Sequence, residues 1–153
     1  MEQAEVVEQL RGALVVAVDG SPPSAVALRF AADLAGRTGV PLHVVLVWNV
    51  LIGPAPQASG DERISEQDRQ AEAERVLADF VGTALDGASA APVEQHAVHA
   101  NVDALLRDVS TAAAHVVVGS RGRGAVADAL LGSTSADLVN HALCPVTVVP
   151  TGR

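Results

Sequence analysis

Glycines and residues with hydroxyl side chains are concentrated between residues 119 and 134, where the sequence reads GSRGRGAVADALLGST. Glycine lets the backbone approach a ligand closely, and a glycine-rich turn after a buried strand can present its N–H groups to an anion. Gly132 and Ser133 stand before a helical pattern, and a helix N-terminus favours a phosphate. Arg121 and Arg123 can offset its charge. The stretch predicts a phosphate-binding loop, although plain surface loops also collect glycine and serine.

Three established phosphate-related patterns fit poorly. All ten cationic side chains are arginine, so the Walker pattern, which needs a lysine, is excluded. A phospho-receiver module with Asp19 as acceptor is excluded for the same reason, because receivers of this layout depend on a lysine near the fifth strand. Gly122-x-Gly124-x-x-Ala127 matches the permissive dinucleotide fingerprint, but it follows the fourth predicted strand, and no acid ends a following strand to hold a ribose. An NAD(P) enzyme is therefore disfavoured.

Five short apolar segments alternate with stretches of helical spacing and must position this loop. The predicted strands are residues 13–18, 42–48, 93–99, 115–118 and 145–149. Ser21 and Asn101 are suited to cap helices; the clearest amphipathic helix runs from about Glu62 to Leu85, and the last begins near Ser133. This alternation predicts an α/β fold: a doubly wound open sheet of five mainly parallel strands, order 3-2-1-4-5, with helices on both faces.

Length and composition limit the class of protein. The 153 residues fit one domain, with residues 1–11 as an N-terminal extension. A formal charge of -8 disfavours nucleic-acid binding, which relies on many cationic contacts with phosphates. No apolar run approaches the ~20 residues of a membrane span, and the acidic N-terminus is unlike a signal peptide, so we expect a cytoplasmic protein. The single cysteine, Cys144, excludes an internal disulfide framework.

The histidines are expected to be structural. His43 and His115 occupy strand positions and are predicted to be packed or hydrogen-bonded rather than to bind a metal. His96 and His99 lie three residues apart on a strand, which puts them on opposite faces of the sheet. No metal-ligating residue is predicted.

Two of the predicted loops are expected to lie side by side. Asp19 begins the turn after strand one, and residues 119–124 follow strand four. In the predicted order these strands are neighbours at the switch point, where doubly wound proteins bind ligands beyond the carboxyl ends of the strands. We therefore expect Asp19 to lie across a crevice from the glycine-rich loop, although it is also suited merely to cap the turn into helix one.

Three motifs together resemble one known family. They are Gly119-x-x-Gly122 followed after nine residues by Gly132-Ser133, the VDGS at residues 18–21 and the HALCPVTVV at residues 141–149. From about Leu14 to Pro150 the chain resembles the ATP-binding branch of the universal stress protein family. The resemblance implies a single nucleotide-binding domain that holds ATP, or else AMP, ADP or cyclic AMP, with Mg²⁺ carried by the nucleotide.

The resemblance also implies which residues bind the nucleotide. The position of Asp19 typically contacts ribose or adenine, residues around Ala17 line the base, and Trp48 borders the adenine. The full set expected to bind it is Ala17, Val18, Asp19, Ser21, Trp48, Val118, Gly119, Ser120, Arg121, Gly122, Arg123, Gly124, Gly132, Ser133, Thr134 and Ser135.

The preferred function is a regulatory module that acts in a stress response through nucleotide binding and dimerisation. The last strand would lie at a sheet edge, and exposed edges invite pairing, so a homodimer is expected through Val146, Thr147, Val148 and Val149. No general base is evident next to the loop. A slow ATP hydrolase or a nucleotidyl-transfer enzyme in the same crevice is the alternative, with Asp19 and Asp128 as the nearest acids.

Overall fold

The computed structural model describes residues 2–49, 65–87, 92–121 and 131–151. Its elements are α1 (Gln3–Gln9), β1 (Leu14–Val18), α2 (Pro22–Thr38), β2 (Leu42–Trp48), α3 (Glu66–Leu85), β3 (Val93–His99), α4 (Val102–Ala112), β4 (His115–Gly119), α5 (Ser133–His141) and β5 (Val146–Val149). The predicted alternation of strands and helices is confirmed. The helix expected from about Glu62 begins at Glu66, because Ser65 is extended and its side chain accepts a hydrogen bond from the Asp68 amide.

The five strands form one sheet in the order β3-β2-β1-β4-β5, and every neighbouring pair is parallel. The predicted doubly wound order is therefore confirmed. β1 lies at the centre, while β3 and β5 form the two edges of the sheet.

Apolar side chains project from both faces of the sheet, because successive residues of a strand point to opposite sides. Val16 of β1 packs with residues of α2 and α3 in one core cluster. Val15 packs with residues of α1, α4 and α5 in the other. The buried apolar side chains of the described residues are all alanine, valine or leucine, which lets the helices lie close to the sheet.

The turn from β1 into α2 follows its sequence signals. The Ser21 side chain accepts a hydrogen bond from the Ser24 amide, and prolines occupy the first two helical positions, where no intrahelical N–H partner is lost. Gly39 ends the helix with a φ of 71°, a left-handed conformation that glycine adopts at little cost. These caps fix where α2 begins beside the end of β1.

Residues 1–11, for which the sequence predicts only an N-terminal extension, contain helix α1. Val6 and Leu10 are 2% and 0% exposed and belong to the same core cluster as α4. α1 contacts α4 and β3, and the Gly12 amide donates to the carbonyl oxygen of Ala112 at 2.9 Å. The segment is therefore part of the packed domain.

Helix α3 is the longest of the described helices, with 20 residues. Ala73, Leu77 and Val81 lie on its buried face, whereas charged side chains such as Glu72 and Arg75 pair on its exposed face. None of the described helices combines the length and apolar character needed to span a membrane.

Candidate functional site

β1 and β4 stop pairing before either strand ends. Their last paired residues are Val16 and Val117, but β1 continues beside β2 to Val18, and β4 continues beside β5 to Gly119. The two strands therefore separate at their carboxyl ends and leave a crevice between them. This crevice lies at the switch point of the sheet, where doubly wound proteins bind ligands.

Asp19 lies in the turn at one side of this crevice. Its Oδ1 accepts hydrogen bonds from the Ser21 amide at 2.9 Å and from the Ser21 hydroxyl. Ser24 extends this network, since its hydroxyl donates to the Ser21 carbonyl oxygen at 2.9 Å. Asp19 thus holds the turn into α2, and its contact with a ligand stays a prediction. Ser24 was not predicted as a site residue from the sequence.

Gly119 closes the opposite side of the crevice against α2. A Cβ at this position would lie 3.2 Å from the carbonyl oxygens of both Pro23 and Arg121. Ordinary contacts between carbon and its neighbours are about 3.5–4.0 Å, and backbone atoms cannot rotate away as a side chain can. A side chain here would therefore require the backbone of Pro23 or Arg121 to shift by a few tenths of an ångström. Contact of Gly119 with a ribose or phosphate stays a prediction.

The start of α5 is tied to the end of β4. The Gly132 amide donates to the Ser120 carbonyl oxygen at 2.7 Å, while the Ser120 amide donates to Val149 at 2.9 Å. The buried Ser135 hydroxyl donates to the carbonyl oxygens of Gly132 and Ser120, at 3.1 and 3.3 Å. The Gly132 amide and the Ser135 hydroxyl therefore both make hydrogen bonds within the protein, and their contact with a phosphate stays a prediction.

Ser133 and Thr134 occupy the first two positions of α5. The N-cap residue is Gly132, which has no side chain that could cap this end of the helix. The first amides of a helix have no partner within the helix and lie at the positive end of its dipole. Both residues also carry hydroxyl groups, and Ser133 is exposed whereas Thr134 is half-buried. Such a terminus is suited to hold an anion.

A charge pair between two helices orients α5. Arg107 Nε of α4 donates to Asp137 Oδ2 at 2.9 Å, and a second bond joins Arg107 Nη2 to Asp137 Oδ1. The hydrogen bond from Arg107 holds the pKa of Asp137 below its ordinary value. A bidentate pair of this kind has a defined geometry, so it helps to fix the direction of α5.

Trp48 stands at the carboxyl end of β2, beside the end of β1. Its indole stacks on the His99 ring, with ring centres 4.2 Å apart and an angle of 13° between the planes. Its Nε1 donates to Gln70 Oε1 at 2.8 Å, and Gln70 Nε2 donates to the Ala97 carbonyl oxygen at 2.9 Å. Trp48 is half-buried and held from two sides. Gln70, which the sequence analysis did not single out, carries no local signal for this contact.

The remaining predicted site residues fall into two groups. Val18 and Val118 are buried core residues on opposite faces of the sheet, and Ala17 is half-buried beside the core that contains Val118. Arg121 is exposed at the end of the described segment after β4. The predicted contacts of Gly122, Arg123 and Gly124, and the acid Asp128, lie outside the described residues.

Sequence comparison identifies relatives of this chain. Residues 11–150 match the Universal stress protein family. A universal stress protein of Mycobacterium tuberculosis is 36% identical over 156 residues, which cover 94% of this chain and 49% of that protein. A second one from the same species is 35% identical, with 89% and 47% covered. The chain spans about half the length of these curated relatives.

Solved structures share the fold. A universal stress protein from Archaeoglobus fulgidus in complex with dAMP is 26% identical, has a TM-score of 0.61 and covers 92% of this chain and 98% of its own. A universal stress protein in complex with cAMP is 21% identical, has a TM-score of 0.67 and covers 94% and 99%, a likeness that concerns the fold alone. Because the family match extends from before β1 to beyond β5, the chain belongs to the universal stress protein family.

Proposed function

We propose that this chain is a cytoplasmic regulatory module that binds an adenine nucleotide, ATP above all, in the crevice between β1 and β4. The hydrogen bond between the Gly132 amide and the Ser120 carbonyl oxygen carries the proposal, because it fixes the start of α5 beside the end of β4. A helix N-terminus at the switch point of a doubly wound sheet is an arrangement that suits a nucleotide phosphate.

The choice of an adenine nucleotide is supported by relatives. The universal stress protein of A. fulgidus, 26% identical to this chain, was solved in complex with dAMP. Another member of the family was solved in complex with cAMP. Both ligands share the adenine base and differ in their phosphates, so the base is the part of the ligand that this comparison favours.

In the proposed complex the phosphates lie at the N-terminus of α5. The amides and hydroxyls of Ser133 and Thr134 donate to phosphate oxygens, and Arg121 offsets part of the charge. Mg²⁺ arrives with the nucleotide, because this ion is usually held by phosphates together with water and few protein ligands. We propose Ser133 and Thr134 as the main phosphate donors, since the Gly132 amide and the Ser135 hydroxyl make hydrogen bonds within the protein.

The ribose and base then extend towards β1 and β2. Asp19 stands where it can accept a hydrogen bond from a ribose hydroxyl while its Oδ1 holds Ser21. Ala17 and Val118 form part of the wall of the crevice. The edge of Trp48, already fixed by His99 and Gln70, borders the adenine.

We propose in addition that two copies pair through β5. β5 is an edge of the sheet, and the carbonyl oxygens of Pro145 and Val149 point towards β4. Because successive residues alternate, the backbone groups of Val148 point to the open edge. Apolar side chains stand nearby, with Val139 55% and Leu143 78% exposed. An open edge flanked by exposed apolar side chains is suited to a two-fold interface.

The nucleotide can regulate such a dimer because the two sites share one element. The Ser120 amide donates to the Val149 carbonyl oxygen, and the Ser120 carbonyl oxygen accepts from the Gly132 amide. A ligand that orders the start of α5 is therefore one residue away from the dimer strand. This short link supports regulation through a change in assembly, and the role in a stress response is proposed from the family to which the chain belongs.

The proposal is tested by mass spectrometry of small molecules released when the purified protein is denatured. We expect a stoichiometric adenine nucleotide, reduced in a Gly122→Val/Ser133→Ala variant. Ser65→Ala is the matched control, since it removes the N-cap hydroxyl of α3. If the wild-type protein carries no adenine nucleotide and binds none of ATP, ADP, AMP or cyclic AMP when they are added, the proposal is wrong.

A further inference from the structure

Two histidines on the neighbouring strands β2 and β3 are buried against each other. His43 is the second residue of β2, and His96 is on β3; they are 6% and 8% exposed. His43 Nδ1 lies 2.9 Å from His96 Nε2, and the ring planes differ by 8°. Both residues lie two positions before core valines, Val45 and Val98, on the face that α1 and α4 cover.

A carboxylate stands beside this pair. Glu94 is directly opposite His43 in the register of β2 and β3, and its Oε2 lies 3.6 Å from His43 Nδ1. One ligand atom from each of His43, Glu94 and His96 lies within 4.8 Å of the other two. The Glu94 side chain is 65% exposed, and β3 is an edge strand, so the cluster has a route to solvent.

We propose that His43, Glu94 and His96 bind a divalent transition-metal ion of the zinc class. Two imidazole nitrogens and one carboxylate oxygen form a donor set that zinc takes in proteins, with a fourth position left for water. Metal–nitrogen bonds are about 2.0–2.1 Å, so tetrahedral ligand atoms are separated by about 3.3 Å. The present separations of 2.9 and 3.6 Å lie on either side of this value.

The protons of the pair are compatible with binding. In the hydrogen-bonded pair one of the facing nitrogens carries a proton and the other accepts it. When a metal binds, that proton leaves the facing nitrogen, and the same ring takes up a proton at its other nitrogen, so both rings stay neutral. The neutral imidazole is the form of histidine that binds metals.

The site would join β3 to β2 through the second residue of each strand, His43 and Glu94, and the fourth residue of β3, His96. The crevice lies between β1 and β4, whereas this site lies on β2 and β3, so the inference does not rest on the proposed nucleotide binding. An ion here would connect an edge strand to the sheet beneath α1, a helix that ends before the matched family region begins. The expected consequence is greater stability of the folded chain in the presence of the metal.

The test is a titration of the untagged full chain with Co²⁺ and Zn²⁺ in the absence of nucleotide. Co²⁺ reports its ligands through visible absorption, and Zn²⁺ binding is measured by calorimetry. We expect saturable binding of one ion per chain, weakened at least about tenfold by His96→Gln and by Glu94→Gln. Glu94 is exposed, so Glu94→Gln tests the site without disturbing the core.

His99→Gln is the matched control, because it removes a histidine of the same strand that faces the other side of the sheet and leaves the three proposed ligands intact. This variant is expected to bind the ion as the wild type does. Circular dichroism confirms that each variant is folded. An absence of saturable binding in the wild type, or unchanged binding in folded Glu94→Gln, would overturn the inference.

Discussion

The Gly132 amide lies 2.7 Å from the Ser120 carbonyl oxygen, and this bond joins the start of α5 to the end of β4 across eleven intervening residues. The bond uses the Gly132 donor, yet it sets the next two amides of the helix, those of Ser133 and Thr134, at the carboxyl edge of the sheet. The Gly132 amide, which the sequence predicts to bind the nucleotide, thus fixes the position of Ser133 and Thr134 in this structure.

An acidic side chain at the start of α5 is expected to separate nucleotide binding from stability. In Ser133→Asp the new carboxylate interacts favourably with the helix dipole, so the free energy of unfolding should be unchanged or rise by about 0.3–1 kcal/mol. The same charge repels a phosphate, so ATP affinity should fall by at least about tenfold, a change of about 1.4 kcal/mol. Urea unfolding and calorimetric titration measure the two effects.

Gln67→Asp is the control for this variant, since it places the same side chain in the first turn of α3. It should leave ATP affinity unchanged. Equal ATP affinity in Ser133→Asp and wild type would remove α5 from the proposed phosphate site.

A methyl group at Gly119 should destabilise the fold. Gly119→Ala puts a Cβ 3.2 Å from the Pro23 and Arg121 carbonyl oxygens, and the strand or helix must move to relieve the overlap. We expect the free energy of unfolding to fall by about 1–3 kcal/mol. Gly36→Ala in α2 meets no atom within 4 Å, and it should instead raise stability by about 0.5–1 kcal/mol. If both variants unfold at the same urea concentration, the close approach of β4 and α2 does not restrict residue 119 to glycine.

The buried histidines predict a loss of stability in mild acid. In the unfolded chain His43 and His96 titrate near pH 6.5. Burial lowers the pKa of both in the folded chain, and for His96 the charge of His43 adds to this, while Glu94 opposes it. Below about pH 6.5 the unfolded chain therefore binds more protons than the folded chain. The free energy of unfolding decreases as the pH is lowered, until the pH reaches the pKa values of the folded chain.

Urea unfolding in the presence of a chelator, from about pH 7.5 to about pH 5, measures this slope, which is at most about 1.4 kcal/mol per pH unit for each histidine. The slope should be smaller in His43→Gln/His96→Gln than in the wild type and should be retained in His99→Gln. Identical slopes in the wild type and the double variant would contradict a buried neutral pair.

Changes at the β5 edge should produce monomers. Val148→Pro removes an N–H that points away from β4, so the pairing of β5 with β4 is kept while the outer edge loses a donor. Leu143→Glu places a charge at an apolar side chain that is 78% exposed. Light scattering should give half the wild-type mass for both variants. Val76→Glu, a charge on α3 at the other face, should leave the mass unchanged, and dimers of both β5 variants would contradict the proposed interface.

Local signals predicted most of the fold. The continuous apolar run at residues 13–18 identifies β1, and Ser21, Asn101 and Gly132 stand where helices begin. α1 was not predicted as a helix, because its seven residues bury little more than Val6 and carry charges on the rest of the surface. Its position depends on contacts with α4 and β3, which are distant from α1 in the sequence.

The site was less accessible to sequence reasoning because its key contacts are not local. The bond from Gly132 to Ser120 depends on where α5 returns to the sheet, and no spacing rule reveals that it occupies the amide. His43 and His96 are 53 residues apart, and only the register of β2 and β3 brings their rings together. The opposite orientation of His96 and His99 was predicted correctly, since His96 is buried and His99 is exposed.

The most direct test of the central claim is a calorimetric titration of the purified chain, stripped of bound nucleotide, with ATP and Mg²⁺. Saturable binding with one site per chain is predicted, with affinity lowered at least about tenfold in Ser133→Asp and unchanged in Gln67→Asp. No saturable binding of ATP, AMP or cyclic AMP by the folded wild-type chain would contradict the assignment of the crevice as an adenine-nucleotide site.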